Sequence, residues 1–382
     1  MAVSVRTIQT AVPATTIAQH AVRDLFAAQP DLNRLGRRLV TASFDASGIA
    51  TRHTVVAELD RSAPVEHPRF VDPGTGEFLN PSTRERNERY IEAAPELAVE
   101  AAAKALDALG LAPGAVTHVI TASCTGFFAP GPDYVLVRRL GLDPAVQRFH
   151  VGFMGCYAAF PALRMAKAFC EADPAAVVLV VCVELCTLHM RSSNEADQIV
   201  ASSVFADGAA AAIVSARDDL AAAPEGAAIE RDAFASILTP VGETDMAWTI
   251  GDHGFEMVLS SYVPKIIDEH ITGALQPLLE PAGITSGEVA HWAVHPGGRS
   301  ILDRVESKLG LTERQLAPSR ATLRDVGNIS SATVLFVLKR LLESDGGPDG
   351  ALAADGEQVC AMAFGPGLTV ETGLFTVRRP AS

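Results

Sequence analysis

Continuous apolar runs alternate along this chain with segments whose apolar residues recur at helical spacing. The runs at 116–122, 177–183, 209–214, 290–294, 358–364 and 368–377 are predicted strands. Runs with so few polar positions belong to strands covered on both faces. Between them, Leu97, Ala101, Ala105 and Leu109 share one face of a helix predicted over 94–109, which Gly110 stops and Pro113 follows. A second helix is predicted over 333–340. This alternation predicts a layered α/β architecture. The pattern of the first part recurs in the second, which suggests a duplicated unit with halves at 1–220 and 221–382 joined by a connector at 221–227. Prolines and charges over 63–89 predict a surface excursion there.

Composition narrows the function classes. With 382 residues, 48% hydrophobic and 20% charged, the chain can bury a large core. A net charge of -14 and the lack of a basic stripe argue against nucleic acid or an anionic membrane as partner. The most apolar stretch, 175–183, ends at Glu184 and is too short to insert across a bilayer. The N-terminus shows no basic stretch followed by an apolar one, so a secretory leader is not expected. Six cysteines without a CxxC pair suggest neither a disulfide framework nor a zinc site, and a cytoplasmic location is expected. Without a phosphate loop or a GxGxxG run, neither a metal nor a nucleotide cofactor is expected.

One cysteine stands apart. Cys156 follows Gly155 at the start of an Ala-rich segment, where a helix N-terminus would favour its thiolate. His295 ends an apolar run and precedes a Pro-Gly-Gly turn, and Asn328 follows Gly327 just before the 333–340 helix. Each has a plainer reading: a cysteine packs as a small hydrophobe, a histidine sits hydrogen-bonded in a core, and an asparagine caps a helix. A Cys-His-Asn set serves papain-like proteolysis, in which the histidine activates the thiol. It also serves thioester condensation, where a thiolate takes an acyl group and two neutral donors stabilise the enolate left by decarboxylation. The depth of Cys156 in an α/β pattern disfavours the protease.

His295-Pro-Gly-Gly298, Gly327-Asn328-Ile-Ser-Ser331, Phe205-Ala-Asp-Gly-Ala209 and Phe364-Gly-Pro-Gly367 occur together. With them, the chain resembles the chalcone synthase-like type III polyketide synthases of bacteria over residues 40–377. The resemblance implies a thiolase-like duplicated αβαβα fold and a homodimer. It implies Cys156 as nucleophile, with His295 and Asn328 beside it, acting on an acyl-CoA starter and malonyl-CoA without further cofactor. Phe205 and Phe255 would be gatekeepers between a coenzyme A tunnel and the reaction cavity, with Gly298 at the substrate and Gly365, Pro366 and Gly367 shaping a wall. Arg52 matches a basic segment that takes the coenzyme A phosphate.

Phe127 and Phe128, in the Ser123–Pro130 stretch, would meet the partner subunit. Thr125, Ala129 and Cys186 look like the lining of an acyl tunnel in alkylpyrone-forming members, which implies a medium or long fatty acyl starter and an alkylpyrone or resorcinol product. His189 departs from the small residue of plant members, against an aromatic starter. The alternatives are a single-condensation ketoacyl synthase III, which carries His-Gln-Ala-Asn where this chain has His295-Pro-Gly-Gly298, and a silent thiolase-fold partner subunit, which would lack part of the Cys-His-Asn set.

Overall fold

The structure, a computed structural model, describes residues 2–62, 65–220, 227–343 and 352–379. A nine-stranded sheet runs in the order His291–Val294, Gln358–Gly365, Thr369–Arg378, Ala228–Leu238, Ser4–Ala11, Asp207–Ser215, Val177–Leu185, His118–Ser123, Gln147–Gly152. The order shows the duplication as topology. His118–Ser123 lies parallel to Val177–Leu185, which pairs antiparallel with Asp207–Ser215 and that in turn with Ser4–Ala11. In mirrored order, His291–Val294 lies parallel to Gln358–Gly365, followed antiparallel by Thr369–Arg378 and Ala228–Leu238. The two sets join where Ser4 and Val5 pair with Glu230 and Ile229. Among the described residues, Gln147–Gly152 is the strand without a counterpart.

Packing explains why the strands read as unbroken apolar runs. In Val177–Leu185, Val178, Val180 and Cys182 face a core shared with the Ala159–Ala172 and Thr333–Leu342 helices. Val177, Leu179, Val181 and Val183 face the Thr83–Ala108 helix on the other side. Gln358–Gly365 repeats this: Val359, Ala361 and Ala363 point to the shared core, while Cys360, Met362 and Phe364 point to the outer Val263–Ala282 helix. Helix, sheet, paired helices, sheet and helix make the five-layer αβαβα arrangement of the thiolase-like fold.

Each predicted strand and both predicted helices are present, with shifted ends. The largest departure is the helix predicted over 94–109, which begins at Thr83. Its first turns fall within the segment expected to run over the surface. Ser82 and Glu85 form a reciprocal capping box that starts the helix, and Pro95 is accommodated within it. Arg86 in that first part is buried and donates to the carbonyls of Pro81, Leu188 and Met190, so the segment is anchored in the core. Of the expected connector, 221–226 lies outside the described residues.

The Thr83–Ala108 helix also carries Tyr90, buried, with its hydroxyl donating to Ser123 Oγ at 2.7 Å. A Cβ on Gly126 would lie 2.1 Å from the Tyr90 ring. The ring cannot withdraw without giving up that hydrogen bond. Gly126→Ala is therefore expected to lower unfolding free energy by about 1–3 kcal/mol, the range for overpacked cores, read as a shift in urea midpoint.

Candidate active site

Cys156 lies in a short 3₁₀ turn, Gly155–Tyr157, that leads from the Gln147–Gly152 strand into the Ala159–Ala172 helix. Gly155 has φ +77°, and a Cβ there would come within 2.6 Å of Pro366 Cδ. A Cβ on Gly365 would meet the Tyr157 ring at 2.4 Å. The Gly365-Pro366-Gly367 turn is thus pressed directly against the turn that presents the thiol. His295 follows the His291–Val294 strand, its backbone N–H donating to Met362 O at 2.8 Å. Its ring is buried, yet neither Nδ1 nor Nε2 has a hydrogen-bond partner.

Asn328 does not cap the following helix, whose N-cap is Ala332. Its Oδ1 accepts from the Ser330 N–H at 2.9 Å and its Nδ2 donates to Gly297 O at 3.3 Å, which fixes the carboxamide and leaves one N–H to spare. The Asn328 backbone forms a bridge with the segment around Phe205: its N–H donates to Val204 O at 2.9 Å and its carbonyl accepts from Ala206 N at 2.8 Å.

Cys156, His295 and Asn328 line one cavity of about 450 Å³, together with Phe205, Met257, Gly298 and Phe364. Burial pushes the Cys156 thiol up to about 12, with the Glu184 charge acting in the same sense; hydrogen bonds from Ser330 and Asn328 to the thiolate pull the other way. Burial pushes the His295 imidazole down to about 3. The resting pair is a neutral thiol and a neutral imidazole with a free N–H, an arrangement suited to donating a hydrogen bond to a carbonyl oxygen as negative charge develops on it. The helix-start argument for a resting thiolate is outweighed by desolvation.

Behind Cys156 the packing is much tighter. Thr125, Cys186 and Pro366 line a cavity of only about 20 Å³ with Cys124, Phe205, Trp248 and Met257. The Thr125 hydroxyl is engaged at once with Glu184 and the Leu185 N–H, both at 2.9 Å. His189 is fixed by Thr125 O at 2.8 Å and the Phe255 N–H at 3.0 Å, and burial holds it neutral with a pKa pushed down to about 3.

Three expectations are corrected. Phe255 does not line the 450 Å³ cavity; it is 2% exposed and stacks on His189 at 4.1 Å. In the Gly254–Leu259 strand, side chains two apart share a face: Met257, one repeat along, lines the 450 Å³ cavity with Phe205, while Phe255 lies with Phe205 only at a separate small cavity of about 10 Å³ beside Cys186 and His189. Ala129 is exposed and lines none of the cavities around Cys156. Arg52 is not at the surface: the Thr51–Thr54 strand turns it inward, where Nη1 donates to Ser202 O and Phe205 O, both at 2.8 Å, and no phosphate can reach it.

Besides Met257, two residues near the site were not foreseen. Trp248 donates from Nε1 to Cys124 O at 2.8 Å and fills space behind the thiol. Glu184, fully buried at the end of the longest apolar run, accepts from the Cys124 N–H at 3.0 Å and from the Thr125 and Ser331 hydroxyls. A carboxylate ending such a run, where burial demands partners, was the available signal. Among the described residues, no group of three or more His, Cys, Asp or Glu could hold a metal ion, and no helix is long and apolar enough to cross a membrane.

Burial raises the Glu184 carboxyl to about 6 in spite of these donors. The folded state therefore binds this proton more tightly than the unfolded chain does, so Glu184 costs stability at neutral pH. The cost disappears as pH falls through 6 toward the ordinary carboxyl value. Glu184→Gln should flatten the stability–pH slope between about pH 7 and 4.5 by about 2 kcal/mol, measured by denaturant unfolding across that range.

Comparison with known proteins agrees with this geometry. The family model for the N-terminal domain of chalcone and stilbene synthases matches residues 2–218, and that for the C-terminal domain matches residues 232–378. The chain is similar to the crystal structure of PKS-I from the brown alga Ectocarpus siliculosus, with 27% identity, a TM-score of 0.88 and coverage of 98% of each chain. It is also similar to the C-terminal type III polyketide synthase domain of Steely1, a type I/III hybrid from Dictyostelium, with 27% identity, a TM-score of 0.87 and coverage of 99% and 100%. A third structure, 1,3,6,8-tetrahydroxynaphthalene synthase from Streptomyces coelicolor, has 27% identity, a TM-score of 0.84 and coverage of 99% and 100%.

Proposed function

The chain belongs to the chalcone and stilbene synthase family of type III polyketide synthases, condensing enzymes that use CoA thioesters without a cofactor, and from that premise we propose how its residues divide the work. Cys156 is the nucleophile. Its thiolate attacks the carbonyl of an acyl-CoA, forming the acyl–Cys156 thioester and expelling the CoA thiolate, which takes up the proton that Cys156 gave to His295. His295 and the spare Asn328 N–H then hold the thioester oxygen of malonyl-CoA as carbon dioxide leaves. The resulting enolate attacks the acyl–Cys156 carbonyl, and Cys156 departs as thiolate with the chain extended on CoA. Repetition followed by ring closure gives a pyrone or resorcinol-type product. The observation that carries this reading is the convergence of Cys156, an unbonded His295 and an oriented Asn328 on one cavity.

The packing behind Cys156 bears on the starter. A cavity of about 20 Å³ holds roughly one water. A medium or long acyl chain would have to displace Trp248 and Met257, so a short acyl starter fits this packing better. Met257, facing Phe205, takes the gatekeeping place expected for Phe255. The halves at 1–220 and 221–382, a cytoplasmic location and a homodimer meeting through the Ser123–Pro130 loop, where Phe127 is exposed, complete the proposal.

Mass spectrometry of products from malonyl-CoA and acyl-CoA starters of increasing length tests both parts. Cys156→Ala should abolish every product, while His295→Ala and Asn328→Ala should each lower decarboxylation by about 10²–10³. Product that survives in the Cys156→Ala protein would remove the nucleophile assignment. Trp248→Ala should move the preferred starter to longer chains, and an unchanged preference would show that starter length is set elsewhere.

A further inference from the structure

The helix Ala196–Val204 ends without a glycine: Phe205 follows it in an extended conformation, φ −77° and ψ 144°, and the chain runs on through Ala206 into the Asp207–Ser215 strand. A left-handed glycine at this point would turn the chain back and close the last carbonyls on its own N–H groups. An extended exit instead leaves the carbonyls of Ser202, Ser203 and Val204 without partners in the helix, inside the molecule. Other elements supply the donors. Arg52 Nη1 gives one N–H to Ser202 O and one to Phe205 O, both at 2.8 Å; Gln19 Nε2 reaches Ser203 O at 2.8 Å, and the Asn328 N–H reaches Val204 O at 2.9 Å. The stem of Arg52 passes Gly327, where a Cβ would lie 3.3 Å from Arg52 Cγ. Its Nε and Nη2 have no hydrogen-bond partner, and among the described residues it forms no ion pair with a carboxylate. A buried guanidinium that uses only Nη1 is a costly way to end a helix. What it holds is the residue that borders three cavities: Phe205 lines the 450 Å³ cavity, the 20 Å³ cavity behind Cys156 and the 10 Å³ cavity beside Cys186 and His189.

We infer that Arg52 is a positioning residue: it pins the Phe205 backbone at the helix end and so fixes how that ring divides the space beside Cys156, which sets the size of group that can reach the thiol. This deepens the condensing role proposed above and rests on it for the identity of the group admitted. The two donations hold carbonyls three residues apart, so neither the helix end nor Phe205 can move without losing one of them. The planar guanidinium aims both N–H groups in fixed directions, which an ammonium on a shorter stem does not. Apolar pockets tell acyl groups apart by single methylenes, so a ring displacement of that order registers as a change in selectivity.

Alkylation of Cys156 tests the inference without calling on turnover, through the ratio of its rates with iodoacetamide and with the bulkier N-benzylmaleimide, read at the Cys156 peptide. Arg52→Lys keeps the buried charge and Arg52→Met removes every donor. Each should lower the ratio of small to bulky reagent by about threefold or more, and neither should change it further in Phe205→Ala protein, because residues that act through one another are not additive. Gln19→Met loosens the same helix end through Ser203 O and is the control for a merely structural role: it should lower the urea midpoint and leave the ratio in place. An unchanged ratio in folded Arg52→Lys protein would overturn the inference. A change of equal size in the Phe205→Ala background or with Gln19→Met would do the same, as would failure of both Arg52 variants to fold. The preferred acyl-CoA starter of the Arg52→Lys enzyme should shift toward bulkier groups. A Phe205-dependent change in the ratio, alongside absence of product from the unsubstituted enzyme, would leave the positioning role standing and remove the condensing role; product formation with an unchanged ratio would do the reverse.

Discussion

Two backbone hydrogen bonds join the halves of the molecule where the chemistry is placed. Asn328 donates to Val204 O and accepts from Ala206 N, so the residue that orients one carboxamide also fixes the backbone of Phe205. Neither half holds the site alone: Cys156 and Phe205 come from the first, His295 and Asn328 from the second. The bridge is possible because Gly327, at φ +75°, lacks a Cβ that would lie 3.0 Å from Ala206. Beneath it, Arg52 donates to Ser202 O and Phe205 O. A buried guanidinium is expensive, and burial draws its pKa down to about 9, with the Asp207 charge opposing that shift. Asp207 is itself held by the N–H groups of Val55 and Thr187, both at 2.8 Å. The charge that the sequence suggested for a phosphate is instead committed to the backbone around Phe205.

Desolvation then sets the resting state of the site. The thiol and the imidazole each lose the hydration that their charged forms would need, so both rest neutral. In the proposed transfer of the Cys156 proton to His295, two opposite charges form within one cavity, where their attraction offsets part of each separate cost. A neutral resting imidazole also suits the proposed decarboxylation step, in which its N–H would meet an oxygen that gains charge only as carbon dioxide leaves.

The fold was legible because its strands are covered on both faces, and such strands cannot conceal themselves among polar residues. The Thr83–Ala108 helix was half hidden because its start depends on a capping box and on Arg86, a charge that only its carbonyl partners make tolerable in the core. The candidate reactive residues were legible because each sits at the end of an element, Cys156 and Asn328 directly after a glycine and His295 before a Pro-Gly-Gly turn. The residues that shape the space around them were not. Trp248, Met257 and Phe255 share one face of two paired strands, and that this face is the one turned toward Phe205 depends on a register that neither strand announces alone. Arg52 shows the same limit: an arginine in a short strand reads as exposed until the surface it faces is known.

The charge distribution resolves an apparent conflict between an acidic protein and an anionic substrate. At physiological ionic strength, a net charge of -14 spread over the surface is screened beyond about 8 Å, so long-range repulsion of a phosphate-bearing ligand is weak. What counts is the field within the cavity, where screening is poorer and no carboxylate stands on the wall. Glu184, a buried carboxylate whose charge acts on Cys156, accepts from Cys124, Thr125 and Ser331. Its negative charge therefore works against the Cys156 thiolate. Acidity over the outside and a cavity wall without carboxylates are compatible because they act at different ranges.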